Sequence, residues 1–132
     1  MADRHEVFDI IGKILVVDDV AINLRVFTVL LSNTDISVDT AISGTEALEM
    51  IKRNKYDIIF VDHLMPGMDG VDLKKAMDSM IDNPNKLTPI VMQTANAVVG
   101  AKEEYEKLGF TDYIAKPIKE EELRKLIRKY IV

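Results

Sequence analysis

The alternation of short apolar runs with stretches of helical period constrains this chain more than any other feature. Lys13-Ile-Leu-Val-Val-Asp18, Ile58-Ile59-Phe60-Val61 ending in Asp62, and Pro89 to Thr94 are apolar runs bounded by polar or turn residues. That is the pattern of strands buried on both faces. Ile36 to Ala41 alternates apolar with polar, as an edge strand with one solvated face does. Asp112 to Ala115 completes the set as a short fifth strand. Between the runs, apolar residues recur at helical spacing: Ile22, Val26 and Val29; Ala47, Leu48 and Ile51; Val71, Leu73, Ala76 and Met77; Val98, Ala101, Tyr105 and Leu108; Leu123, Leu126, Ile127 and Tyr130. Gly109 is placed to close the fourth helix as its C′ residue, and Gly100 weakens that helix's first turn. Glu120, Glu121 and Glu122 at the start of the last helix, with basic residues after them, complement its dipole and allow i,i+4 pairs such as Glu121 with Lys125. Strands alternating with helices require right-handed crossovers and a parallel sheet covered on both faces. The expected fold is therefore α/β, a (βα)5 doubly wound five-stranded parallel sheet in the order 2-1-3-4-5.

At 132 residues the chain is one domain of ordinary size. Residues 1–12 show no period and read as an N-terminal lead-in or linker, with the folded domain at 13–132. There is no cysteine, hence no disulfide framework and no thiolate metal site. No apolar run approaches the roughly 20 residues of a membrane span, and Met1-Ala-Asp-Arg-His-Glu lacks the apolar core of a signal peptide. The expectation is a cytoplasmic, soluble segment without membrane contact. The net charge of −5 argues against direct nucleic-acid binding by the domain.

The order 2-1-3-4-5 has its switch point between strands 1 and 3, outside the carboxyl ends of the strands. Asp18 and Asp19 end strand 1, Asp62 ends strand 3, Thr94 ends strand 4 and Lys116 follows strand 5, so all converge on that edge. Three carboxylates gathered at the mouth of a low-dielectric sheet repel one another unless a cation shares the site. Oxygen-only ligands without a cysteine or histidine cage suit Mg²⁺ or Mn²⁺, which leaves coordination positions for a phosphoryl ligand. Lys116 supplies a point charge and Thr94 a hydroxyl for the oxygens of a transferring phosphoryl group. Asp62, central among them, is best placed to be the nucleophile.

Asp18-Asp19, Asp62 followed by Met65-Pro66-Gly67-Met68-Asp69-Gly70, Thr94-Ala95 and Tyr113-Ile114-Ala115-Lys116-Pro117 together resemble the receiver domain of two-component response regulators, of the chemotaxis-regulator type with a flavodoxin-like fold. The resemblance covers residue 13 to about residue 130. It implies that Asp62 accepts phosphate from a histidine kinase or histidine phosphotransfer domain. It implies that Asp19 and Asp62 bind Mg²⁺ through their side chains, Leu64 through its backbone carbonyl and Asp18 through a metal-bound water. Thr94 and Lys116 would contact the phosphoryl group, and Thr94 and Tyr113 would form the switch. Leu64 and Asn96 match positions that tune hydrolysis of the acyl phosphate. Phosphorylation would alter the face made by the fourth helix, fifth strand and fifth helix, and with it the affinity for a downstream protein; a phosphorylation-dependent dimer is a further expectation. Such a domain is not an enzyme beyond its own phosphotransfer and autodephosphorylation. Asp19-Val-Ala-Ile-Asn23 looks more like the receivers of hybrid sensor kinases than those of free regulators. Two settings remain open, a single-domain regulator and a segment of a larger hybrid protein.

Taken singly, these residues have ordinary uses. Asp18-Asp19 before a helix serves as a cap, and so does Thr94. Pro66-Gly67 and Asp69-Gly70 are turn chemistry. His63 tempts as a ligand, but strand alternation turns it away from Asp62. The rival activities are a metal-dependent phosphohydrolase, which commonly needs an acid two residues beyond the nucleophile where Leu64 stands, and a non-phosphorylated scaffold. A flavin site fares worst, since no Ser/Thr/Gly-rich phosphate loop follows strand 1.

Overall fold

A computed structural model describes residues 10–95 and 98–131. Its centre is β3 (Ile58–Asp62) beside β4 (Ile90–Thr94), every residue of both strands being buried. β1 (Ile11–Val17) pairs with β3 on one side and with the edge strand β2 (Asp35–Ala41) on the other, and β5 (Asp112–Ala115) closes the far edge against β4. All four pairings are parallel and the order is β2-β1-β3-β4-β5. The expected doubly wound topology is therefore the observed one. β1 starts two residues early, because Ile11 and Gly12 pair with Asp35 and Ile36. Of the rest of the expected lead-in, Ile10 is half-buried and residues 1–9 lie outside the described residues.

The burial of each strand follows from its place. In β2 Ile36 and Ala41 are buried on opposite faces, one in each core, while Asp35, Ser37 and Thr40 are exposed, so this edge strand is partly covered on both faces rather than solvated along one. The inner strands feed two cores. Leu15, Val17, Ile59, Val61, Ile90 and Met92 pack on one face, and Ile14, Val16, Ile58, Phe60 and Val91 on the other. The helices α1 (Ala21–Leu30) and α5 (Glu120–Tyr130) cover the second face; α2 (Gly44–Arg53), α3 (Gly70–Asp78) and α4 (Ala101–Lys107) cover the first.

Helix ends are set by local chemistry. Ser43 caps α2 by accepting from the Glu46 N–H at 3.1 Å, and Glu46 reaches back to the Ile42 N–H at 2.8 Å. Asp69 and Asp72 form the reciprocal capping box of α3. α4 is shorter than its apolar spacing suggests. Gly100 takes φ of 89° immediately before it, a left-handed conformation that cannot continue a helix, so Val98 lies outside and 58% exposed. Its C-terminus is as expected: Gly109, at φ 96°, donates to Glu106 O and Phe110 donates to Tyr105 O, the paired bonds of a Schellman end. On α5 the i,i+4 ion pair among the described residues is Arg124 with Glu120 at 2.6 Å, one position before the expected Glu121–Lys125. None of the described helices is long and apolar enough to cross a membrane.

Candidate functional site

The carboxyl ends of β1, β3 and β5 meet as the topology requires. Asp18 is wholly buried and Asp62 is 6% exposed. The Lys116 ammonium bridges them, 3.1 Å from Asp18 Oδ2 and 2.7 Å from Asp62 Oδ1. Asp19 is exposed at the mouth, with a carboxylate oxygen within 4.8 Å of oxygens of both Asp18 and Asp62. Asp18 does not cap α1, whose N-cap is Val20 without a side-chain bond. Its Oδ1 instead accepts from the Val20 N–H at 2.9 Å, which fixes the carboxylate while leaving Oδ2 to Lys116. The Lys116 backbone is held by its N–H donating to Thr94 O at 2.8 Å, and the following bond to Pro117 is cis.

Three carboxylates against one ammonium leave this mouth with two net negative charges. Burial pushes the Asp62 carboxyl above its ordinary range; the Lys116 hydrogen bond pulls it back, and the charges of Asp18 and Asp19 raise it again. Burial by itself would lower Lys116, but its hydrogen bonds to Asp62 and Asp18 outweigh that and hold the ammonium above its usual value. An oxygen-only donor set this close, with charge left uncompensated, fits a hard divalent cation such as Mg²⁺.

Pleat alternation divides the remaining residues. Asp62 and Gln93 are register partners on the face of Phe60 and Val91, whereas Thr94 stands on the opposite face with Val61 and Met92. Thr94 is 2% exposed, and its Oγ1 accepts from the Tyr105 hydroxyl of α4 at 3.0 Å. Tyr113, half-buried on β5, lies against the same tyrosine with ring centroids 6.1 Å apart. His63 lies there too, edge-on to Tyr105 at 5.7 Å, turned from Asp62 as alternation requires. Leu64 is 75% exposed, so its side chain contributes nothing inside the mouth. Asn96 lies outside the described residues.

Three residues gain importance that sequence reasoning did not give them. Gly70 is more than a turn residue: a Cβ there would come within 2.7 Å of the Asp62 carbonyl oxygen. Gln93 is fully buried beside Asp62 in register and donates to Val17 O at 3.3 Å, tying β4 to β1 behind the acids. Its place one residue before Thr94 on a buried strand was the available signal. Tyr105 read only as part of an apolar helix stripe, and nothing local marked its hydroxyl.

The family model of the response regulator receiver domain matches residues 14–128. Over 118 residues the chain is 36% identical to the signal transduction histidine-protein kinase BarA of Escherichia coli (strain K12), a match that covers 89% of this chain and 12% of that protein. The chain thus spans a small part of the kinase's length. Among solved structures, the chemotaxis response regulator CheY4 of Vibrio cholerae aligns with a TM-score of 0.81 and 30% identity, covering 92% of this chain and 99% of that one. The receiver domain of sensor histidine kinase PA1611 from Pseudomonas aeruginosa PAO1, solved with a magnesium ion coordinated in its active-site cleft, aligns with a TM-score of 0.78 and 30% identity over 91% of this chain and 97% of that one.

Proposed function

Because the chain belongs to the family of response regulator receiver domains, the phosphoacceptor domains of two-component signalling, we propose that Asp62 is the carboxylate that takes the phosphoryl group. The observation that carries this reading is the Lys116 ammonium, 2.7 Å from Asp62 Oδ1 in a mouth shared with Asp18 and Asp19. The donor is the phosphohistidine of a histidine kinase or histidine phosphotransfer domain. An Asp62 oxygen attacks phosphorus, the P–N bond breaks, and the electron pair returns to the imidazole nitrogen. Lys116 holds the phosphoryl oxygens against Asp62, and the Thr94 hydroxyl crosses the sheet edge to donate to another of them. Asp18, Asp19, Asp62 and the Leu64 backbone carbonyl are the groups that would hold Mg²⁺ or Mn²⁺. Bound there, the ion offsets charge on the carboxylates and on the transferring phosphoryl group.

Thr94 leaving its resting place frees space for Tyr113, and the α4-β5-α5 face changes its affinity for a downstream protein. Phosphorylation biases a pre-existing equilibrium, and a coupling of about 1–3 kcal/mol corresponds to an affinity change of about 5–150-fold. Leu64 and Asn96 tune autodephosphorylation, the only turnover assigned to the domain. A dimer that forms on phosphorylation, a cytoplasmic setting and a place within a hybrid sensor kinase are parts of the same reading. A phosphohydrolase would want an acid where Leu64 points outward. Incubation with acetyl phosphate and Mg²⁺ should label wild type and not Asp62→Asn, read by intact mass; equal labelling of the two would remove Asp62 from the acceptor role.

A further inference from the structure

Resting on the reading of Asp62 as acceptor, we propose that Tyr105 is a positioning residue for Thr94, holding its hydroxyl in the resting place and opposing its transfer to the phosphoryl group. The Tyr105 hydroxyl donates to Thr94 Oγ1 at 3.0 Å in a buried setting, on the sheet face opposite the one from which Asp62 projects. To reach a phosphoryl oxygen on Asp62, the Thr94 hydroxyl has to leave that partner, unless the phenol travels with it.

The phenol is not placed to travel. Tyr105 is 7% exposed and sits at the Schellman end of α4, where Phe110 N–H binds its carbonyl at 3.0 Å. The hydrophobic contact that accompanies this motif is the edge-on packing of Phe110 on the Tyr105 ring, at 6.4 Å. His63 abuts the ring edge-on and Tyr113 lies tilted against it. Phe110, His63 and a fixed backbone therefore hold the hydroxyl in place while Thr94 and Tyr113 move. A buried phenol left without its acceptor adds to the cost of the phosphorylated state. Tyr105 also touches both members of the expected switch, Thr94 through its hydroxyl and Tyr113 through its ring, so the two moves are coupled across α4.

The test measures binding of beryllofluoride, a mimic of aspartyl phosphate, in the presence of Mg²⁺. Tyr105→Phe keeps the ring and its packing and removes only the hydroxyl. It should bind roughly five-fold tighter than wild type, the value of one neutral hydrogen bond. In a Thr94→Ala background the same change should have no effect, because the Tyr105 hydroxyl, the one group removed, acts through Thr94. The Thr94 methyl resonance of free Tyr105→Phe should also move part of the way toward its beryllofluoride-bound position. Unchanged or weaker binding by Tyr105→Phe, a gain that persists without Thr94, or an unmoved methyl resonance each overturns the proposal. Wild type that takes up no beryllofluoride, or Asp62→Asn that takes it up equally well, identifies the acceptor reading as the part that failed.

Discussion

Asp62 is costly to keep where it is. Burial and the charges of Asp18 and Asp19 raise its carboxyl, and Lys116 only partly compensates. A carboxyl raised in the folded state contributes stability that is present below its unfolded value, about 3.9, and is lost as pH rises through the folded value. At neutral pH without divalent cation, Asp62→Asn should therefore be more stable than wild type, with a thermal midpoint higher by about 4 °C. The gain should vanish toward pH 4, and a midpoint lower than wild type at pH 7 would mean that the Lys116 bond outweighs the burial. The placement of the acids, Thr94 and Lys116 at strand ends was legible because alternating strands and helices imply a parallel sheet, whose common doubly wound order brings those ends to one edge. Tyr105 and Gln93 were not, since their value lies in what they meet: Tyr105 bonds a residue across from another element, and Gln93 ties β4 to β1. Side-chain partners of that kind are products of packing, which periodicity does not encode.

The loop between β3 and α3 packs directly against Asp62, the proposed acceptor. Gly67 takes φ of 81° in open space, whereas Gly70 is needed for its missing side chain, with a built Cβ 2.7 Å from Asp62 O, 3.2 Å from Val61 Cγ1 and 3.3 Å from Met92 Sδ. The two glycines therefore predict different outcomes. Gly67→Ala should cost about 1–2 kcal/mol for a left-handed backbone and leave labelling by acetyl phosphate close to wild type. Gly70→Ala should cost about 1–3 kcal/mol by overpacking and also slow labelling, because the nearest atom to yield is the Asp62 carbonyl. Urea unfolding paired with initial labelling rates separates the two; a Gly70→Ala protein that labels at the wild-type rate would show that the loop tolerates the contact. Element by element, strands and helices lie close to where their periods put them, although β1 starts two residues early through its pairing with β2. The start of α4 departs from its period, because a left-handed Gly100 rather than apolar spacing decides it.

For the molecule as a whole, one charge imbalance links stability to signalling chemistry. The sheet order brings three acids and one lysine to a single mouth, and the two uncompensated negative charges there invite a divalent cation that the unfolded chain, with its acids dispersed, would not bind comparably. Any ligand selective for the folded state stabilises it by mass action, about 2.7 kcal/mol at a hundred times its Kd. The cation needs its carboxylates ionised, while the raised Asp62 carboxyl keeps a proton into a less acidic range than an ordinary aspartate does. If the proposed site holds Mg²⁺, the ion and a proton on Asp62 would compete, and the sign follows: the rise in thermal midpoint on replacing EDTA with Mg²⁺ should grow from about pH 4 to pH 7. It should be smaller at every pH in Asp62→Asn, which keeps Asp18 and Asp19 but loses one charge. A Mg²⁺ effect independent of pH, or equal in the two proteins, would place the cation away from Asp62 and break the link between metal binding and the acceptor.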